Sequence, residues 1–101
     1  MELQEQQHAM SGSAVIDCHP AAPGQLPMSF VDTTASILRY KKGTMVQVIV
    51  GKGIHSKVPI GARLRDKLPT WLMGQIAAGI IEKYWAPNVT DEQSFNGSIY
   101  V

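Results

Sequence analysis

The sequence predicts an α/β protein, arranged as a two-layer α+β sandwich with the element order β-α-β-α-β-β. The length of 101 residues allows one domain of ordinary size and not two. Apolar residues make up 45% of the chain and charged residues 17%, which is typical of a globular domain and excludes a wholly disordered chain. Short apolar runs alternate with stretches of helical periodicity, and this alternation indicates strands joined by right-handed helical crossovers.

The first strand is predicted at residues 14–16, a short apolar run with β-branched side chains that Pro20 brings to a stop. Residues 1–12 are polar and rich in glutamine, and we expect a flexible leader there. The domain is therefore expected to span residues 13–101 and to form part of a larger multidomain protein.

A first helix is expected to begin near Pro27, because the fixed φ of proline suits the first helical turn. Lys41 and Lys42 are expected in its last turn, where cations favour the helix dipole, and Gly43 as its left-handed cap. Residues 45–50 are almost continuously apolar, which predicts a second strand covered on both faces.

A second helix is expected to start between residues 59 and 62, to be kinked or broken at Pro69 and to end at Gly79. The remaining elements are a third strand at residues 80–85, a polar loop at residues 86–95, a turn at Asn96-Gly97 and a fourth strand at residues 98–101. Because the crossovers are right-handed, at least the first strands of the sheet are expected to be parallel.

Basic residues are concentrated in one window of the chain. Residues 1–38 carry four acids and no lysine or arginine, residues 39–67 carry a net charge of +7, and residues 68–101 carry a net charge of −2. The overall charge of +1 therefore hides a basic segment, which favours an anionic partner such as nucleic acid. The alternative interpretation is a solvated basic face with no partner.

Asp17 and His19 end the first strand two residues apart, so their side chains are expected to point the same way. In an open α/β sheet, ligands bind beyond the carboxyl ends of the strands. A carboxylate beside an imidazole orients the ring, and imidazole can act as general acid or base near neutral pH. The pair is therefore a candidate catalytic dyad, the alternative being a surface Asp-x-His without a role.

A glycine loop, Gly51-Lys52-Gly53, joins the second predicted strand to the second helix. Glycines let a backbone approach a phosphate closely, and amides at a helix start carry partial positive charge. The loop is neither a Walker loop nor a dinucleotide fingerprint, because the required lysine–hydroxyl pair is missing and the sixth position is Ser56. Its place inside the basic window favours phosphate binding over a plain βα turn.

These features in combination resemble the small MutS-related (Smr) domain family, in particular its eukaryotic branch. The resemblance rests on Asp17-x-His19 at a strand end, on Gly51-Lys52-Gly53-Ile54-His55-Ser56 after the second strand and on Leu64-Arg65 in the second helix. It covers residues 14–101. It implies a four-stranded mixed sheet with two helices, like the C-terminal domain of translation initiation factor three. It also implies nucleic-acid binding and, in many members, endonuclease activity.

Carried over residue by residue, the resemblance implies catalytic roles for Asp17, His19 and Arg65. The candidates for phosphate or nucleic-acid binding are the glycine loop and its basic surroundings: Gly51, Lys52, Gly53, His55, Ser56, Lys57 and Arg63. In the corresponding acid–base mechanism His19 moves a proton, Asp17 fixes its tautomer and Arg65 offsets charge on the phosphate. A mechanism with a divalent metal ion such as Mg²⁺ ranks lower, because Asp66 is the one other carboxylate near the motifs.

The leading hypothesis is therefore an endonuclease domain acting on RNA or DNA. The alternatives are a nucleic-acid-binding module without cleavage and a domain that binds a phosphate ligand or an acidic protein. We expect a monomer in an intracellular compartment, cytoplasmic or nuclear, since the one cysteine, Cys18, forbids an internal disulfide. We expect no membrane partner, because the longest uncharged stretch, residues 68–81, is too short and too polar to span a bilayer.

Three further side chains are expected to lie in the core. Trp71 and Trp85 belong to apolar stretches, which favours burial over the alternative, base stacking. Cys18 faces away from Asp17 and His19 along the strand and is expected to be a buried thiol.

Overall fold

A three-stranded sheet packs against two helices in the computed structural model, which describes residues 13–20, 25–52 and 58–101. The elements are β1 (Ser13–Asp17), α1 (Phe30–Leu38), β2 (Met45–Ile49), α2 (Leu64–Ala77) and β3 (Ser98–Tyr100). β1 pairs in parallel with one side of β2, and β3 pairs antiparallel with the other. The predicted α/β class, the two helices and the parallel first strands are confirmed. The expected leader, residues 1–12, lies outside the described residues.

The core lies between the two helices and one face of the sheet. Its buried side chains come from all five elements and from the connections between them: Ile16, Cys18, Ile37, Val46, Val48, Leu68, Leu72, Phe95 and Ile99. Cys18 is buried as expected, whereas Phe95 lies in the predicted polar loop and yet has no exposed surface. Because strand side chains alternate, the residues between these core positions face the opposite side of the sheet, which neither α1 nor α2 covers.

α1 begins at Phe30, later than the expected start near Pro27. Its first turn is capped by Ser29, whose hydroxyl accepts the backbone N–H of Asp32 at 3.0 Å. The helix ends at Leu38, so the predicted placement of Lys41 and Lys42 in its last turn is wrong. Gly43, with φ +92°, belongs to the turn that follows and not to the helix cap.

α2 begins at Leu64. The carboxylate of Asp66 accepts hydrogen bonds from the backbone N–H groups of Gly61 and Arg63, at 2.9 and 3.2 Å, and so satisfies donors that precede the first turn of the helix. The helix runs through Pro69 without a break and ends, as predicted, before Gly79, which has φ +77°. No helix of the described residues is long and apolar enough to cross a membrane.

The predicted third strand, residues 80–85, does not form. The backbone N–H groups of Ile80 and Ile81 donate to the carbonyl of Gln75 at 2.9 and 3.3 Å, so they close the end of α2 and are not available to a strand ladder. Within this segment Trp85 alone pairs, forming an isolated antiparallel bridge with Tyr100. The sheet of the described residues therefore has three strands and one bridge in place of four strands.

The two tryptophans differ in burial. Trp71 packs against the core and meets the ring of Phe30 edge to face, with centroids 6.5 Å apart. Trp85 is 66% exposed, so the expectation that it belongs to the core is wrong. Its backbone is held at the sheet, but its side chain lies on the face that the helices leave uncovered.

We expect Leu72→Ala to lower the free energy of unfolding by about 2–5 kcal/mol, because Leu72 is fully buried between α2 and the sheet and its loss leaves a cavity. Met73→Ala is the matched control on the same helix, where the side chain is 59% exposed, and it should change stability by less than about 0.5 kcal/mol. Urea denaturation of both variants measures the difference. Equal losses would contradict the assignment of the buried face of α2.

Candidate functional site

The carboxyl ends of β1 and β2 bring Asp17, His19 and Gly51 together. Asp17 lies opposite Ile49 in the parallel register, and the backbone N–H of Cys18 donates to the carbonyl of Ile49 at 2.9 Å. The segments that follow β1 and β2 therefore leave the sheet side by side, and the ring of His19 lies against Gly51. The expected proximity of the Asp-x-His pair and the start of the glycine loop is confirmed for these residues.

His19 is oriented by Asp17 in two ways. The backbone N–H of His19 donates to Oδ1 of Asp17 at 3.0 Å, which holds the turn after β1. Nδ1 of the imidazole lies 3.3 Å from the same oxygen. With Nδ1 beside a carboxylate, the tautomer protonated at Nδ1 is favoured, and the lone pair of Nε2 then lies on the side of Gly51. Both side chains are more than half exposed, so a substrate can reach them.

Two features favour glycine at position 51. Its φ is +77°, a conformation that residues with a Cβ rarely adopt. A Cβ at this position would lie 2.6 Å from Nε2 of His19, well inside van der Waals contact. The imidazole therefore occupies the space that the missing side chain leaves open, and the glycine fixes how far the ring can approach the loop.

Gly97 supports Gly51 from the opposite side. Its carbonyl accepts the backbone N–H groups of Val50 and Gly51 at 2.8 and 3.0 Å, and a Cβ on Gly97 would meet the backbone of Gly51 at 3.4 Å. The amide of Gly51 is thus committed within the protein and does not face a ligand. In this part of the loop the exposed side chain of Lys52 is the group that can meet an anion.

Arg65, expected to act on a phosphate, is almost fully buried. Its guanidinium donates to the carbonyls of Lys52 and Val89, the latter at 2.6 Å, and lies over the ring of Phe95 with its central carbon 4.6 Å from the centroid. Nε of Arg65 has no hydrogen-bond partner among the described residues. Arg65 therefore holds the backbone of Lys52 from the interior of the protein. This favours a positioning role over direct contact with substrate.

Arg63, expected to bind phosphate, is also buried and faces acids. Its Nε lies 2.7 Å from Oδ2 of Asp66, and a terminal nitrogen lies 3.0 Å from Oδ1 of Asp66 and 3.3 Å from Oε1 of Glu92. These hydrogen bonds raise the pKa of Arg63 and lower the pKa of Asp66. Two positive charges of the basic window are thus internal, and the window is not one continuous basic surface.

Four predicted binding residues, Gly53, His55, Ser56 and Lys57, lie outside the described residues. In the described part of the chain, no group of three or more His, Cys, Asp or Glu residues could hold a metal ion. Cys18 lies beneath the site, 3.6 Å from the hydroxyl of Thr33, and burial raises the pKa of its thiol. A thiol held in the protonated form is a poor nucleophile, so Cys18 serves the core.

A cleft of about 150 Å³ lies at the other end of the sheet, between the end of α1, the turn before β2 and residues 80–83. Ile37, Val46 and Ile81 contribute apolar lining, and Lys41 and Lys42 contribute ammonium groups. Because Met45 and Val46 begin β2 whereas Gly51 follows its end, the cleft is separated from His19 by the length of the strand. The exposed lysines are therefore divided between two ends of the molecule.

No protein-family model, curated protein or solved structure matches the chain.

Sequence reasoning missed the internal role of the two arginines and the buried position of Phe95. The Arg63–Asp66 pair has the i, i+3 spacing of a helical ion pair, and that spacing indicates in the sequence that Arg63 can pair with Asp66. The partners of Arg65 are 13 and 24 residues away in the chain, and nothing local indicates them.

We expect Gly51→Ala to displace the imidazole of His19, whereas Gly43→Ala should not. Both glycines have positive φ, so each substitution should cost about 1 kcal/mol of stability. Only at Gly51 would the new Cβ meet His19, since nothing lies within 4 Å at Gly43. Imidazole chemical shifts of His19 measure the difference, and unchanged shifts in Gly51→Ala would contradict the described contact.

We expect Asp66→Asn to lower the free energy of unfolding at neutral pH by about 2 kcal/mol, since it weakens charge-assisted hydrogen bonds to Arg63. The pKa of Asp66 is lowered in the folded protein, so its contribution is present above the unfolded pKa of about 3.9 and is lost as the pH falls through the folded value.

The stability of Asp66→Asn should accordingly decline less steeply in acid than that of the parent. Glu82→Gln, an exposed carboxylate on the connection after α2, is the control and should keep the parent profile. Denaturation curves between neutral pH and about pH 3 provide the comparison. A parent and an Asp66→Asn variant with parallel profiles would show that this pair does not contribute to acid sensitivity.

Proposed function

We propose that this chain is a nucleic-acid-binding domain that cleaves phosphodiester bonds in RNA or DNA by acid–base catalysis. One observation carries the proposal: the imidazole of His19 lies between the carboxylate of Asp17 and the backbone of Gly51, at the carboxyl ends of two parallel strands. This is the edge of an α/β sheet where ligands bind. The resemblance of the same residues to the Smr family supports the nucleic-acid substrate.

In this proposal the exposed imidazole of His19 takes a proton from the attacking hydroxyl or water, or returns one to the leaving oxygen. Asp17 holds the ring through Nδ1 and stabilises its charged form during the step. Lys52, exposed next to Gly51, attracts the phosphate. Arg65 keeps the backbone of Lys52 in position and is a positioning residue, not a catalytic one.

A second candidate is a nucleic-acid-binding module without cleavage. The observation that favours it is the burial of Arg65, whose charge meets protein carbonyls and the ring of Phe95 and not an exposed phosphate. Without a further cation, stabilisation of charge in the transition state would rest on Lys52. The two candidates share the binding surface and differ in whether His19 turns over substrate.

We expect His19→Ala to reduce the cleavage rate by roughly 10²–10⁴ while leaving affinity within about twofold, because the imidazole acts on a proton and contributes little to a phosphate-dominated interface. Lys52→Ala should weaken binding and cleavage together, since its charge acts in both ground and transition states. Lys42→Ala, at the cleft end of the sheet, is the charge-matched control and should retain cleavage.

The assay uses labelled single-stranded and double-stranded RNA and DNA, with and without EDTA, and follows both retention and cleavage. Cleavage in EDTA is the expected result of acid–base catalysis, and cleavage that needs added Mg²⁺ would favour the metal alternative. Binding without cleavage of any substrate would favour the second candidate. A His19→Ala variant that cleaves as fast as the parent would contradict the assignment of His19.

A further inference from the structure

Three large apolar side chains are exposed on the face of the sheet that the helices leave uncovered. Val15, Met45 and Trp85 project from it with 60%, 62% and 66% of their surface exposed. Val15 and Met45 alternate with buried positions of β1 and β2, which places them on the side away from the core. Large exposed apolar side chains on one face mark an interaction surface more often than scattered ones do.

An aromatic pair dominates this face. The backbone N–H of Trp85 donates to the carbonyl of Tyr100 at 2.7 Å, and the N–H of Tyr100 donates back to Trp85 at 2.8 Å. The two rings lie 5.7 Å apart between centroids and are tilted by 34°. The backbone hydrogen bonds fix the two residues to the sheet, and the contact between the rings restricts the rotamers of the indole, which reduces the entropy lost when a ligand packs on it.

The pair lies on the same face as Asp17. Tyr100 stands opposite Gln47, Gln47 stands opposite Val15, and Asp17 follows two residues after Val15 on β1. With strands about 4.8 Å apart and a rise of about 3.3 Å per residue, Tyr100 lies about 12 Å from Asp17, and Trp85, one strand spacing further out, lies about 16 Å from it. This separation corresponds to a few nucleotides of one strand.

The surroundings of the pair suit a strand that carries phosphates. Lys83, two residues before Trp85, is exposed and lines the cleft at one end of the sheet, and Lys52, next to Gly51, is exposed at the other end. Flat aromatic rings on a sheet face stack on unpaired bases, whereas the bases of a duplex are stacked on each other and do not reach such rings. A surface with both rings and cations is complementary to a single strand.

We propose that Trp85 and Tyr100 form a base-stacking platform that selects single-stranded nucleic acid for the site at His19. This inference rests on the proposed function and names its substrate class. The platform holds unpaired bases a few nucleotides from the bond to be cleaved, and Lys52 holds the phosphate beside His19.

The test compares Trp85→Ala with Tyr40→Ala. The control removes another exposed aromatic ring, which lies at the cleft, at the end of the sheet away from His19. Fluorescence anisotropy measures the affinity of each variant for a labelled single-stranded oligonucleotide and for the matching duplex. Trp85→Ala should weaken single-strand binding about tenfold, within the usual worth of one stacked base, and leave duplex binding unchanged. Tyr40→Ala should match the parent on both.

Trp85→Phe is the second variant, because it keeps a ring on the sheet and should retain folding and most of the affinity. Single-stranded ligand should quench the indole emission of the parent, and this quenching should be largely lost in Trp85→Phe. Single-strand affinity that is unchanged in Trp85→Ala would overturn the platform. Equal losses of affinity for single strand and duplex would also overturn it. A parent that sediments as a dimer, together with a Trp85→Ala variant that sediments as a monomer, would overturn it as well, because a second copy would then cover this face.

The result separates the two proposals. Weaker single-strand binding in Trp85→Ala supports the platform even if the parent cleaves nothing. Cleavage by the parent with unchanged binding in Trp85→Ala overturns the platform alone. A parent that binds neither single strands nor duplexes overturns both.

Discussion

The close approach of His19 to Gly51 is the contact on which the candidate site depends. The imidazole lies where a side chain would otherwise be, and the loop can pass beneath it because Gly51 has a positive φ and no Cβ. The carbonyl of Gly97 binds the amides of Val50 and Gly51 from the far side. β1, β2 and the turn before β3 therefore meet at one point, and the sheet order with β2 in the centre makes this meeting possible.

Buried charge supports this contact from the helix layer. Arg65 binds the carbonyls of Lys52 and Val89, and Arg63 binds Asp66 and Glu92, so α2 is tied both to the start of the glycine loop and to the loop before β3. Removing one partner from such an arrangement leaves a buried charge without compensation, which is more costly than the net worth of the pair. The basic residues of one sequence window thus divide into internal supports and exposed groups that can meet a ligand.

The sequence predicts the parts of the structure that local rules determine. The strand that ends at Asp17, the cap at Gly79 and the meeting of His19 with Gly51 follow from alternation, from glycine chemistry and from the geometry of parallel strands. The absence of the third strand could not be predicted in this way, because residues 80–85 fit a strand in the sequence while the amides of Ile80 and Ile81 are taken by the end of α2. The burial of Arg65 depends on partners distant in the chain, which no periodicity indicates.

The most direct test of the account is an NMR titration of the ¹⁵N-labelled protein with a short single-stranded oligonucleotide. The account predicts the largest chemical-shift changes at the imidazole of His19 and at the amides of Gly51 and Lys52. Changes confined to Lys41 and Lys42, at the cleft on the other end of the sheet, with none at His19, would contradict it.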